Sequence, residues 1–257
     1  MNQTDSPALQ KRNSFFCPTE PFAVSDGSRI IFANDENYLH LLTKKGIAGM
    51  VSESFCIDGR DYSVITTKDR KHFALILAET LTSVASGDQM SEPYAYRFLY
   101  QKSRMILTSE LSGHLHFHEA DIPMTAAVPC GVAYAFALFL IIYRIITQNP
   151  STVLDILLEL DDDEVTTVIH PASQVDSSLL FDNGFLSTLL SAILRNADIK
   201  LSSKETPHGE CIRLTTKRLY KAAFTRFSAA EEGRLDRLFA LVATFFGSVH
   251  EEGQGDS

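Results

Sequence analysis

Asn196, in the run LLSAILRNADIK, is the polar residue most informatively placed for chemistry. It lies three positions after Ile193 and seven after Leu189, at the edge of an apolar helical stripe. A side-chain amide there needs a partner from protein, water or ligand. An asparagine satisfied by its own fold near a helix end is the other reading of that spacing. Histidines form the second group. His72, in KDRKHFALIL, falls on an exposed or partner-facing position of a helix, where an imidazole can take part in phosphoryl transfer or simply be solvated. His114, His116 and His118 alternate in GHLHFHEAD, which sets imidazoles on one side of an extended segment. Such a trio can bind a metal, and a solvated linker is the reading preferred.

Other charged groups carry blander readings. The acidic run Asp161, Asp162, Asp163, Glu164 suits a solvated turn, with cation binding as the alternative. Lys217, Arg218, Lys221 and Arg226 cluster around the final strands, where a partner's acidic surface can meet them or where they serve solubility. The four cysteines Cys17, Cys56, Cys130 and Cys211 lie far apart, with neither Cys-x-x-Cys pairs nor nearby histidine ligands, so neither a zinc site nor a disulfide framework is expected and a reducing compartment fits. A net charge of −9 argues against a nucleic-acid surface. Gly-x-Ser-x-Gly, Walker and His-Glu-x-x-His signatures do not occur.

The elements that must hold these residues follow from periodicity and turn chemistry. The opening MNQTDSPALQKRN has no apolar core of a signal peptide, and residues 1–18 read as a flexible leader. Residues 19–66 hold two hairpins, turned at Asp26-Gly27 and Asp58-Gly59, around a short helix. In 67–118, a stripe of Phe73, Ile76, Leu77, Leu81 and Val84 closes at Gly87, and a second helix opens at Pro93; together they read as an antiparallel helical hairpin suited to dimerisation. From Met124 to Tyr143 twenty residues carry no charge. That length can span a bilayer, but Pro129 and Gly131 interrupt it and favour a helix buried on all sides. Beyond it the expectation is a second short helix over 151–159, then a strand VTTVIHP. A helix striped by Leu186, Leu189, Leu190, Ile193 and Leu194 follows, then strands ECIRLTTKRL and KAAFTRF. A last helix carries Leu235, Leu238, Phe239, Val242 and Phe245. The fold class is α+β, ending in a two-layer α/β sandwich.

This order of modules resembles that of bacterial sensor histidine kinases. PFAVSDGSRIIFANDENYLHLL looks like the opening of a PAS domain, FDNGFLSTLLSAILRNADIK like the segment leading into the family's N box, and FALVATFFGSV like the closing helix and strand. The resemblance implies a truncated PAS-like module at 19–66, a dimerisation and phosphotransfer hairpin at 67–118, and an ATPase-like sandwich at 119–257. It implies that Asn196 would hold a magnesium ion bridging ATP phosphates, that Gly233 is what remains of the nucleotide lid, and that His72 is the candidate phosphoacceptor.

The departures from the family pattern set the functional expectation. Ala192 stands where the N box usually has a first asparagine, and the adenine-reading Asp-x-Gly-x-Gly motif is missing. Only SAAEEGR separates KAAFTRF from the last helix, where the family has a long glycine-rich lid whose backbone approaches the phosphates. His72 is followed by Phe-Ala-Leu-Ile rather than by an acidic residue and proline. His118 starts a His-Glu-x-x-x-Pro spacing, but it comes after the hairpin and is read as coincidence. The expectation is therefore a degenerate, cytoplasmic, histidine-kinase-like signalling protein. It would act as a homodimer toward a response regulator or another signalling protein, by binding or by phosphotransfer. The alternative is an active sensor kinase that uses ATP and magnesium to phosphorylate His72.

Overall fold

The computed structural model describes residues 21–87 and 94–220, apart from 112, 119–120, 124, 174–179, 181–183 and 207–208. The strand KAAFTRF, Gly233 and the last helix lie outside the described residues.

Two Asp-Gly turns build the first sheet. Strands β1 (Ala23–Ser25) and β2 (Ile30–Ala33) pair antiparallel, as do β3 (Val51–Ile57) and β4 (Arg60–Thr66). Pairing of β1 with β4 joins the hairpins in the order β2-β1-β4-β3. Helix α1 (Glu36–Lys45) lies between the hairpins in sequence and starts where the Asp35 carboxylate accepts the Tyr38 N–H at 2.6 Å. Tyr38 and Leu42 of this helix pack with Ala23 and Ile65 in a small cluster of their own. The expected two hairpins around a short helix are present.

Helices α2 (Lys71–Ala85), α3 (Tyr96–Glu110) and α4 (Gly131–Gln148) follow, with α5 (Phe185–Asn196) later in the chain. The principal neighbours of α2 are β3, β4, α4 and α5. Those of α3 are α4 and three short strands, β5 (Tyr94–Ala95), β6 (Leu115–Phe117) and β7 (Ala126–Val128). Both helices therefore pack into the body of the chain. Phe73, Leu77, Leu81 and Val84 of α2 and Leu99 and Leu107 of α3 are buried in one core, continuous from the first sheet to the last. A stripe that wide is satisfied by burial within the chain.

The uncharged run 124–143 divides. Ala126–Val128 becomes β7, and the helix begins only after Pro129. Helix α4 is long and apolar enough to cross a membrane, yet 83% of its 18-residue span is buried against the rest of the chain, as expected for a core helix. Tyr134 ties it to the strands behind it. Its hydroxyl donates to the Leu214 carbonyl at 2.9 Å and accepts the Thr167 N–H at 3.2 Å. The Thr167 hydroxyl stands 2.8 Å from Tyr134 and 2.9 Å from the Tyr96 hydroxyl on α3. Burial pushes the Tyr134 phenol up to about 12.

The last sheet has five strands, β10-β11-β9-β8-β6. Here β8 is Leu154–Leu160, β9 Glu164–Pro171, β10 Lys200–Thr206 and β11 Gly209–Lys217. All pairs are antiparallel except β6 with β8. The short helix expected over 151–159 is a strand: Leu154 and Ile156 point inward with the period of two that a sheet imposes. A third sheet, β12-β7-β5, is completed by β12 (Leu219–Tyr220). The chain is mixed α+β.

Candidate functional site

Asn196 is the last residue of α5, and three elements converge on it. Its amide donates to the Ala85 carbonyl at the end of α2, at 2.8 Å, and points toward the Asp58 carboxylate in the β3–β4 turn, at 3.5 Å. The neighbouring Arg195 makes an ion pair with the same Asp58. Gly87, just past α2, has φ +80°, and a Cβ built on it would stand 2.5 Å from the Asn196 carbonyl oxygen. Both the left-handed backbone and the close approach require glycine there. Helix α5 is held at its other end too. Phe185, its first residue, packs by ring contact with Phe32, Phe55 and Tyr62 of the first sheet.

His72 lies exposed in the first turn of α2. Thirteen residues separate it from Ala85, so at 1.5 Å per residue it stands roughly 20 Å along the helix from the carbonyl that Asn196 holds. One chain does not bring these two candidate residues together. The histidine trio is also divided. His114 has Nδ1 3.2 Å from the Thr152 carbonyl, whereas His116 and His118 both face Asp155 on β8. Among the described residues, no three His, Cys, Asp or Glu side chains are gathered as they stand to hold a metal.

A cleft of about 840 Å³ opens between the first sheet and the start of α5. Its floor is Tyr62, Phe185 and Thr188, and its rim carries Asp26, Arg29, Arg60 and Asp61. Asp26 is turned back on its own loop. It accepts the Ser28 hydroxyl at 2.7 Å and the Ser28 and Arg29 N–H groups at 3.0 Å each, which together hold its carboxyl at about 2.

Comparison with known proteins gives likeness of structure only. No family model matches the chain, and no curated protein matches it in sequence. Among solved structures, it is similar to the catalytic domain of the histidine kinase ThkA, at 9% identity and a TM-score of 0.41, over 51% of this chain and 99% of that one. It is similar to the Erythrobacter litoralis blue-light activated histidine kinase at 12% identity and a TM-score of 0.38, over 76% of this chain and 98% of that one. It is also similar to ThkA in complex with the response regulator TrrA, at 10% identity and a TM-score of 0.38, over 86% of this chain and 100% of that one.

Sequence reading singled out Asn196 and missed what surrounds it. Gly87 was read only as a helix stop and Asp58 only as a turn residue. Phe185, Arg29, Arg60 and Asp61 were not singled out at all, and Asp26 of the cleft rim was read only as a turn residue. For Gly87, Asp58 and Phe185 the second role depends on a partner more than a hundred positions away.

Proposed function

We propose that the chain is a cytoplasmic, histidine-kinase-like signalling protein that works through dimerisation and partner contact rather than by consuming ATP. The observation that carries this reading is the position of Asn196. The amide on which a magnesium–nucleotide contact would rest is donated to Ala85 and directed at Asp58, so it serves as a joint between helix and sheet. The missing Asp-x-Gly-x-Gly motif and the short SAAEEGR connection support the same conclusion from sequence. Dimer contact is assigned to the outward faces of α2 and α3, where Leu75 is 42% and Met105 64% exposed. The partner is a response regulator or another signalling protein, and His72, exposed on α2, is the group through which phosphotransfer would run.

The test is a titration of the full chain with ATP and magnesium, followed by calorimetry and by thermal melting. The expected result is no saturable binding in the micromolar range. The proposal fails if ATP binds saturably, if Asn196→Ala abolishes that binding, and if labelled ATP then phosphorylates His72. That outcome would establish the active sensor kinase instead.

A further inference from the structure

The cleft between the first sheet and the start of α5 holds two guanidinium groups that the proposed signalling role does not use. Arg60 stands opposite Ile57 in the β3–β4 ladder and two residues before Tyr62, so alternation sets it on the face that Ile57 and Tyr62 bury in the core. No carboxylate among the described residues pairs with it. Arg29, 80% exposed, has its Nε 3.7 Å from Asp26 Oδ2, beyond hydrogen-bond reach, and Asp26 is already taken up by Ser28 and the Arg29 main chain. Asp61, also at the rim, alternates to the other face of β4 from Arg60. Apolar surface lies beside the arginines. Half-buried Ile30 and Ile31 line the cleft, and Tyr62 and Phe185, fixed by ring contacts to Phe55 and to each other, close its floor.

We propose that this cleft binds a small organic acid, its single carboxylate held by Arg60 and Arg29 and its flat apolar body set against Ile31, Tyr62 and Phe185. A guanidinium presents paired N–H donors that match the two oxygens of a carboxylate. The cleft, at about 840 Å³, is of the size that takes a small molecule, and an apolar lining with a few charged groups is the usual make-up of such a site. The charge count selects a monoanion. Two arginines stand against two aspartates at the rim, so a dianion such as phosphate meets no net positive field. A lone carboxylate can face the guanidiniums while Asp26 stays turned to its own loop and Asp61 to the other face of the strand. The cleft is also distinct from the Asn196 joint. Phe185 and Asn196 are the two ends of α5, a helix of 12 residues, and stand roughly 16 Å apart along its axis. Occupancy of the cleft is thereby separable from any contact with nucleotide.

The experiment is titration of sodium phenylacetate into the full chain, followed by calorimetry and by the aromatic ring resonances of the unmutated protein. Saturable binding with a dissociation constant below about 1 mM is expected. The resonances of Tyr62 and Phe185 should move, and those of Tyr96 and Tyr134, buried away from the cleft, should stay in place. Arg60→Gln should weaken binding by about tenfold or more, and Arg29→Gln should weaken it severalfold. Lys200→Gln, an equal loss of charge on β10, should leave it unchanged. Phenylacetamide, which keeps the shape without the charge, should bind at least about tenfold more weakly. The proposal is overturned if phenylacetate shows no saturable binding or if the resonances that move belong to rings outside the cleft. It is equally overturned if the double variant Arg29→Gln/Arg60→Gln binds phenylacetate as tightly as the wild type, or if phenylacetamide binds as well. Displacement of phenylacetate by inorganic phosphate would overturn it too, since the cleft would then accept any anion.

Discussion

The first sheet contains the same dipeptide, Asp-Gly, at both of its hairpin turns, and the two copies do different work. At the β1–β2 turn the Asp26 carboxylate accepts from Ser28 and Arg29, so every partner lies within three residues. At the β3–β4 turn Asp58 and Gly59 both adopt positive φ, 52° and 75°, as a tight two-residue hairpin demands. That geometry leaves the Asp58 carboxylate free to face away from its own loop, toward Arg195 and Asn196 on α5. A turn signal thus specifies the turn and not its use. One acid stabilises its own loop; the other fastens the sheet to the helix layer.

The docked turn is the one whose neighbourhood should be costly to disturb, and Gly87→Ala is the largest test of it. The methyl group would enter a left-handed backbone and stand against the Asn196 carbonyl, which is main chain and cannot swing aside. A loss of about 3 kcal/mol is expected, read from urea unfolding. Gly27→Ala, at the other turn, has a similar φ of +88° but open space around it, so it should cost only about 1 kcal/mol. Equal losses for the two variants would erase the distinction drawn between the turns.

Asn196→Ala comes next. It removes one good hydrogen bond to Ala85, from an amide whose residue remains accessible to water, so about 1 kcal/mol is expected. Thermal melting at neutral pH checks it. A variant as stable as the wild type would mean that the joint is held without this hydrogen bond, by the packing of Gly87 and Phe185 and by the Asp58–Arg195 pair. The Asp58–Arg195 pair should be smaller still. Arg195 is 62% exposed, and solvent screens such pairs, so a double-mutant cycle with Asp58→Asn and Arg195→Gln should return a coupling of roughly 0.5 kcal/mol. A coupling indistinguishable from zero would leave Asn196 as the only polar link between turn and helix.

What the sequence disclosed divides along the same line. The two turns, helix α1, the buried run of α4 and the stripe of α5 were legible because each depends on period or on residues a few places apart. Leu154–Leu160 was misread as helix because Leu154, Ile156, Leu157, Leu158 and Leu160 satisfy helical and strand periods alike; only pairing with β6 and β9 selects the strand. Lys200–Thr206 escaped notice because its exposed, polar KLSSKET has no stripe of either period, and it is a strand through its ladder with β11. At the site, the need of Asn196 for a partner was visible in its position on α5. That the partner is Ala85, 111 residues earlier, was not, since no local pattern encodes which two helix ends meet.

The solvent-facing turn yields the smallest effect, and its sign can be worked out. Asp26 is held at about 2 against an ordinary value near 3.8, first by the Ser28 hydroxyl and then by the Arg29 and Ser28 N–H groups. A carboxyl whose folded value is depressed contributes stability above its unfolded value and loses that contribution as pH falls through the folded one. The contribution should therefore be fully present above about pH 4 and fade between about pH 4 and 2. Asp26→Asn keeps an oxygen that accepts the same donors but cannot titrate. Wild type should be the more stable by a constant margin from pH 7 down to about 5, and that margin should shrink toward pH 2 as the carboxylate is protonated. Urea midpoints measured across this range check it. A margin that stays constant into the acid limb would mean that the loop holds the neutral acid as firmly as the anion, and that the turn owes its shape to backbone geometry at Gly27 rather than to the charge on Asp26.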